Sequence, residues 1–262
     1  MTLGITTAVV FAIAVLMTMV GRGGGNFYVL AQIVVGVGMH EAATTGQFLM
    51  FATSLSAMLV FHRRRCVAWP MALFIGATTS VMAFVGGWLA SAFSGPTLKG
   101  VFAVMLLVAG VLMLLPVRDR PASARAGWGF WRFTSGGESY VVNLWLAAPV
   151  AAGAGFVAGM VGVSGGSFLV PLMVLACRLP MRLAVGTASV MVAATAFMGF
   201  LGHASGGAFD PAWVLPQTAA AVVGGFIGGR LTLKTKPKHL KLAFAVTTLV
   251  AALLLLRTLA AG

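Results

Sequence analysis

The sequence predicts an all-α polytopic membrane protein made of two inverted repeats of about five segments each, with short Gly-interrupted helices meeting near the bilayer midplane. Three observations predict it: apolar composition along the whole chain, a match between its two halves, and a one-sided distribution of Lys and Arg. Of 262 residues, 60% are hydrophobic and 8% are charged, against about 25% charged in a typical soluble domain. Apolar runs recur from end to end with short gaps, which excludes a soluble domain on a single anchor. The 34 glycines suit helices that cross closely in a bilayer. The first apolar run, 3–20, lacks a basic leader and a small-residue cleavage site, so it reads as a retained helix.

The formal net charge of +13 does not indicate nucleic acid. Most cations sit in brief loops between apolar runs, where they set orientation, and no basic face with interleaved aromatics is present. The acids are Glu41, Asp119, Glu138 and Asp210, and Cys66 and Cys177 have no metal-ligand spacing. No metal or cofactor is expected.

Shifted by 141, the sequence matches itself. Gly21, Gly24, Gly25, Phe27 and Val29 of "GRGGGNFYVL" fall on Gly162, Gly165, Gly166, Phe168 and Val170 of "GVSGGSFLVP". Shifted by 142, the run from Leu98 matches the run from Leu240, and "VGGWL" (Val85 to Leu89) lies over "IGGRL" (Ile227 to Leu231). Three ordered blocks at nearly one offset divide the chain into a first repeat, 1–116, and a second, 143–262. The segment between them, 117–142, is polar, basic and aromatic, and reads as a cytoplasmic interfacial linker.

Each half holds an apolar run (3–20; 143–161), a glycine break and a short apolar piece (26–38; 167–178). Three longer runs follow, at 43–61, 70–91 and 98–115, then at 183–202, 211–229 and 241–259. If the short piece does not return the chain, the repeats are parallel and Lys/Arg outside the breaks splits eight against eight. If it does, they are inverted, and one side collects fourteen cations while the other keeps Lys99 and Arg257. The positive-inside rule selects inversion and places the basic loops in the cytoplasm, in a multi-pass protein of the cell (inner) membrane. A 13-residue helix spans about 20 Å, less than a hydrocarbon core of about 30 Å. Each short helix therefore starts inside the membrane at its glycine break, where irregular backbone must be buried or line a cavity. Paired interrupted segments of this kind point to a transport site.

Helix N-termini attract anions, glycine exposes bare backbone, and Arg22 adds a forked cation. Arg22, Gly23, Gly24, Gly25 and Asn26 in one break, with Ser164, Gly165, Gly166 and Ser167 in the other, suit a small oxyanion. The opposing reading gives the glycines to helix crossing and lets Arg22 snorkel to a surface.

The repeated glycine break, with "GGSFLVPLMVL" and the following "AVGTAS" (Ala184 to Ser189), resembles the TauE/SafE family of sulfite and organosulfonate exporters. Gly162, Gly165, Gly166, Pro171, Gly186 and Thr187 carry the resemblance. In the first half Leu30 replaces the proline and "ATTGQF" (Ala43 to Phe48) replaces the second motif. The resemblance implies a small sulfur-containing anion as cargo, and export as its direction. The second motif of each half opens the helix after the short piece and offers Thr44, Thr45 and Gln47, then Thr187 and Ser189, to the site. Such hydroxyls also bond back to their own helix.

His40 and Glu41 are candidates for a coupled proton and also suit a solvated loop, while "HRRRC" (His62 to Cys66) reads as a topology signal. A coupled ion, H+ or Na+, and a homodimer through glycine-faced helices both stay open. The expected protein is a secondary transporter working by alternating access, with no enzymatic role. Its rivals are an anion channel of the same selectivity, a membrane-embedded enzyme and a metal-ion permease. The enzyme lacks a nucleophile–base constellation, and Arg22 would repel a metal ion.

Overall fold

The structure is a computed structural model that describes residues 2–89, 95–114, 128–135, 137–161, 165–204 and 209–260. In chain order the first half gives α1 (Thr2–Met19), α2 (Gly25–Val34), α3 (Met39–Arg63), α4 (Trp69–Leu89) and α5 (Gly95–Leu114). A hairpin follows, β1 (Phe130–Ser135) and β2 (Glu138–Asn143). The second half gives α6 (Leu144–Val161), α7 (Gly166–Pro171), α8 (Met181–Ala204), α9 (Pro211–Lys234) and α10 (Pro237–Ala260). Every helix starts within four residues of the position expected from its apolar run. Six of them, α3, α4, α6, α8, α9 and α10, are long and apolar enough to cross a membrane among the described residues.

Local chemistry sets the boundaries. α2 stops where Gly36 takes φ +90, and the short helix of the second half stops where Arg178 takes φ +56. α7 runs into a π-turn, Leu172–Ala176, directly after Pro171, whose missing N–H disturbs regular helix bonding. α9 starts with Pro211 at its first position and the Asp210 carboxylate accepting from Ala212 N–H at 3.0 Å.

Small residues let the long helices cross closely. On α9, Gly224 lies against Phe11 and Ala14 of α1, and Gly228 against Val15 and Thr18, so these two helices run parallel. Gly225 and Gly229 meet Thr53 and Val60, so α9 and α3 are also parallel. On α6, Gly155 and Gly159 lie against Thr79 and Ala83 of α4, again parallel. Gly76 meets Met191 and Gly87 meets Gly202, which makes α4 and α8 parallel. Phe48 touches Phe200 and Phe51 touches Phe197, while Gly186 meets Phe61, so α3 and α8 are antiparallel. It follows that α1 and α6 point in opposite directions, as α3 and α8 do.

The helices also pair symmetrically: α1 with α9 and α4 with α6, α3 with α9 and α4 with α8, α3 with α8, and α5 with α10. Exchanging the two halves, helix for helix, maps this set onto itself.

The linker holds a feature that the composition did not reveal. β1 and β2 form an antiparallel hairpin in the register Phe130↔Asn143 to Ser135↔Glu138. Phe133 stacks on Tyr140 at 5.6 Å, and both are buried in the main core with Val142. Trp131 reaches Phe74 of α4 at 5.6 Å, so the aromatic residues fasten the hairpin to the bundle. Burial and the bond from its hydroxyl to Glu138 push the Tyr140 phenol up to about 12. Residues 117–127 and 136 of the expected linker lie outside the described residues.

Candidate functional site

α1 ends because the chain turns on glycine. Gly21 N–H donates to Thr18 O and Arg22 N–H to Met17 O, which closes the last turn. Gly21, Gly23 and Gly24 then take φ +75, +68 and +92, the left-handed region where a side chain is strained. α2 follows at once, with Gly24 O accepting from Phe27 and Tyr28 N–H. The first-turn N–H groups of a helix have no intrahelical acceptor, so the start of α2 directs donors into the break.

The break lies deep in the bundle. A Cβ on Gly23 would strike Val192 of α8 and Met50 and Ser54 of α3, all near the middle of these long helices. The second break abuts the first: a Cβ on Gly166 would sit 2.6 Å from Gly21 O and 3.2 Å from Arg22 Cα. Glycine is required there by close approach of two main chains.

Arg22 fills the junction, with 2% of its surface exposed. Its Nε donates to Ser167 Oγ at 2.9 Å and its Nη1 to Thr248 Oγ1 at 3.2 Å, and its guanidinium carbon lies 5.8 Å from the Phe244 ring centre. The cation of the first break is thus held by a hydroxyl of the second and by α10. Beside it, Met17, Arg22, Gly24, Gly25, Asn26 and Phe27 line a cleft in which no space as wide as a water molecule remains. Asn26 is over nine-tenths buried, and its Nδ2 has no hydrogen-bond partner. Unsatisfied buried donors are rare in folded proteins, and one lining an arginine cleft suits an anionic visitor.

A family model described as "Sulfite exporter TauE/SafE" matches residues 6–255. The chain belongs to the TauE/SafE family. It is similar to the "Probable membrane transporter protein YdhB" of Bacillus subtilis (strain 168), at 24% identity over 249 residues, covering 95% of this chain and 98% of the relative. It is also similar to YunE of the same organism, named in the same words, at 23% identity, with 89% of each chain covered. A third relative, the "Probable membrane transporter protein MJ0441" of Methanocaldococcus jannaschii, is 21% identical over 88% of this chain and 87% of its own. No solved structure matches. Family and relatives make this a membrane transporter rather than an enzyme.

Within this TauE/SafE member, the structure brings Arg22, Gly23, Gly24, Gly25, Asn26, Gly166 and Ser167 together at the junction of the breaks. Gly165 precedes α7, and a Cβ there would meet only ordinary contacts, the nearest 3.6 Å away on Leu169. Ser164 lies outside the described residues. Thr187 is engaged elsewhere, since its hydroxyl accepts from Ala68 N–H at 2.9 Å and donates to Leu183 O at 2.7 Å. Next to it, Gly186 lies directly under the Cys66 carbonyl. Ser189 bonds back to Val185 O at 3.0 Å. The "AVGTAS" motif therefore seats the α3–α4 loop on α8.

Thr45 and Gln47 are fully buried, and the Thr45 Oγ1 and both Gln47 amide atoms have no hydrogen-bond partner. Gln47 faces Gly199 of α8. Among the described residues, no group of three or more His, Cys, Asp or Glu could hold a metal ion.

Sequence reasoning missed Thr248 and Phe244. The one signal was the Thr247–Thr248 pair in the otherwise apolar middle of α10. It also missed a buried amide network in which Trp213 Nε1 donates to Gln32 Oε1 at 2.8 Å and Gln32 Nε2 to Gln217 Oε1 at 2.5 Å. Gln217 Nε2 returns to Trp213 O at 3.0 Å, joining the end of α2 to α9.

Proposed function

We propose that this TauE/SafE member is a secondary transporter that exports a small sulfur-containing oxyanion, sulfite or an organosulfonate, by alternating access around Arg22. The observation that carries the proposal is the guanidinium buried where two interrupted helices touch. Placing a cation at membrane depth costs at least about 2.5–3.5 kcal/mol on the lenient insertion scale, and such residues are functional by default. Its partners Ser167 and Thr248 are neutral hydroxyls, beside which the guanidinium can bind an oxyanion by stronger, charge-assisted bonds and which can themselves turn to donate to it.

The opposite directions of α1 and α6, and of α3 and α8, support inverted repeats, with the breaks meeting near the midplane. Fourteen basic residues then lie on one side, which we assign to the cytoplasm.

Anion-dependent charge movement in proteoliposomes tests the proposal, with labelled-substrate counterflow to detect electroneutral exchange. Sulfite, sulfate, thiosulfate and small sulfonates are compared for the native protein and R22A. A saturable, selective signal lost in R22A is expected. Selective transport unchanged in R22A would discard the site, and no counterflow of any of these anions would discard the function.

A further inference from the structure

Gln47 is fully buried, and both its amide nitrogen and its amide oxygen lack a hydrogen-bond partner. An unmade bond on a buried amide costs stability, so the group needs a reason to be there. Its surroundings have been cleared for it: a Cβ on Gly199 would lie 2.7 Å from Gln47 Nε2 and 3.0 Å from Cδ. The Phe51–Phe197 pair and the Phe48–Phe200–Phe209 cluster bracket the same crossing of α3 and α8.

Register places Gln47 on the seam that carries the first glycine break. Gln47, Met50 and Ser54 recur at three and seven residues along one face of α3, and Gly23 touches the last two. On α8, Val185, Val192 and Gly199 recur every seven residues, with Gly21 against the first, Gly23 against the second and Gln47 against the third. At 1.5 Å per residue, Gln47 stands roughly 5–10 Å from the break along this seam. It lies toward the end where α3 begins, away from the basic loop that follows Arg63.

We infer that Gln47 forms a second, neutral anion station between the Arg22 junction and the outer face, a relay that receives the oxyanion through its amide N–H when α3 and α8 part. The inference rests on the anion-carrier reading above. A neutral donor suits this place: it replaces part of the lost hydration without the grip of a guanidinium, so the anion can leave. Binding at the centre and passage at the rim are then assigned to different residues.

The test uses the full chain with sulfite and methanesulfonate as probes, measuring equilibrium binding by calorimetry and exchange by counterflow in proteoliposomes. Q47L is expected to bind sulfite within about two-fold of the native protein while its counterflow falls about ten-fold or more, and Q47N to keep most of the rate. Native counterflow in Q47L would overturn the relay and leave the Arg22 site standing. Loss of binding in Q47L as severe as in R22A would also overturn it, since Gln47 would then belong to the central site. If the native protein binds neither probe, the functional reading fails and the relay with it. A second variant guards against misfolding: Q47C, on a background without Cys66 and Cys177, is treated from outside with an anionic methanethiosulfonate. Modification slowed by methanesulfonate, which unlike sulfite does not react with the reagent or with the mixed disulfide it forms, is expected, and no modification would overturn the relay.

Discussion

Ser167 Oγ accepts a hydrogen bond from Arg22 Nε at 2.9 Å across 145 positions of chain. This bond joins the two glycine breaks, and it makes the cation of one half dependent on the other. Removing the cation and removing its hydroxyl partners should therefore have different outcomes. R22M is expected to abolish counterflow without lowering the thermal unfolding midpoint, because it removes a buried charge whose desolvation is costly and keeps the side-chain volume apolar. S167A and T248V keep the charge and should weaken sulfite binding by about 3- to 10-fold each. A large fall in midpoint for R22M would make Arg22 a structural residue.

Two adjacent glycines should respond oppositely to one methyl group. In G166A the new carbon meets Gly21 O at 2.6 Å, a main-chain atom held by its own turn. In G165A it meets only Leu169, at 3.6 Å. G166A is expected to cost about 1–3 kcal/mol of stability by overpacking and to abolish transport, and G165A to retain both. Thermal unfolding in detergent, read with counterflow, decides the matter.

Thr187 tests the second motif. Its hydroxyl accepts from Ala68 N–H just ahead of α4, so T187V removes a cap-like bond worth about 0.5–2 kcal/mol. The unfolding midpoint should fall while the sulfite Kd stays within about two-fold of native, because no bond to the anion is lost. A changed Kd with an unchanged midpoint would return Thr187 to the binding site.

The segment lengths and the glycine breaks were legible because bilayer thickness constrains them strongly, as at α2 and α7. The pairing of Arg22 with Ser167 was half legible, since an anion site implies donors from both breaks. Thr248 and Phe244 were not, because an apolar helix shows no face in its composition until its neighbours are known. The same limit hid the role of Thr187: a hydroxyl in a glycine-rich motif reads alike whether it caps a loop or binds a ligand. The β-hairpin was masked by its aromatic and basic residues, which also describe a membrane-surface segment.

Topology gives a prediction independent of the site. Cysteines replacing Lys99 and Lys236 should label from opposite sides of the membrane, with position 236 cytoplasmic. Labelling of both from one side would sink the inverted arrangement. Native Cys66, in the basic loop after α3, should label from the position-236 side. Burial pushes its thiol above the usual range, with Arg182 and Arg64 offsetting part of the effect. The reactive species is the thiolate, so alkylation should be slower at pH 7 than for an exposed cysteine and should accelerate as pH rises.

The bonds holding Arg22 also order events on the ribosome. The arginine is translated at position 22, its first partner 145 residues later and its second 226 residues later. At about 5–20 residues per second, the guanidinium waits roughly 10–50 seconds for the last helix. Until then its cheapest place is the bilayer surface, with α1 shifted to let it reach water. On the transporter reading proposed above, the first half would enter the membrane in a provisional register, and the cation would be drawn to depth only when α7 and α10 arrive. A chain stopped short of Thr248 would leave the guanidinium without its α10 partner.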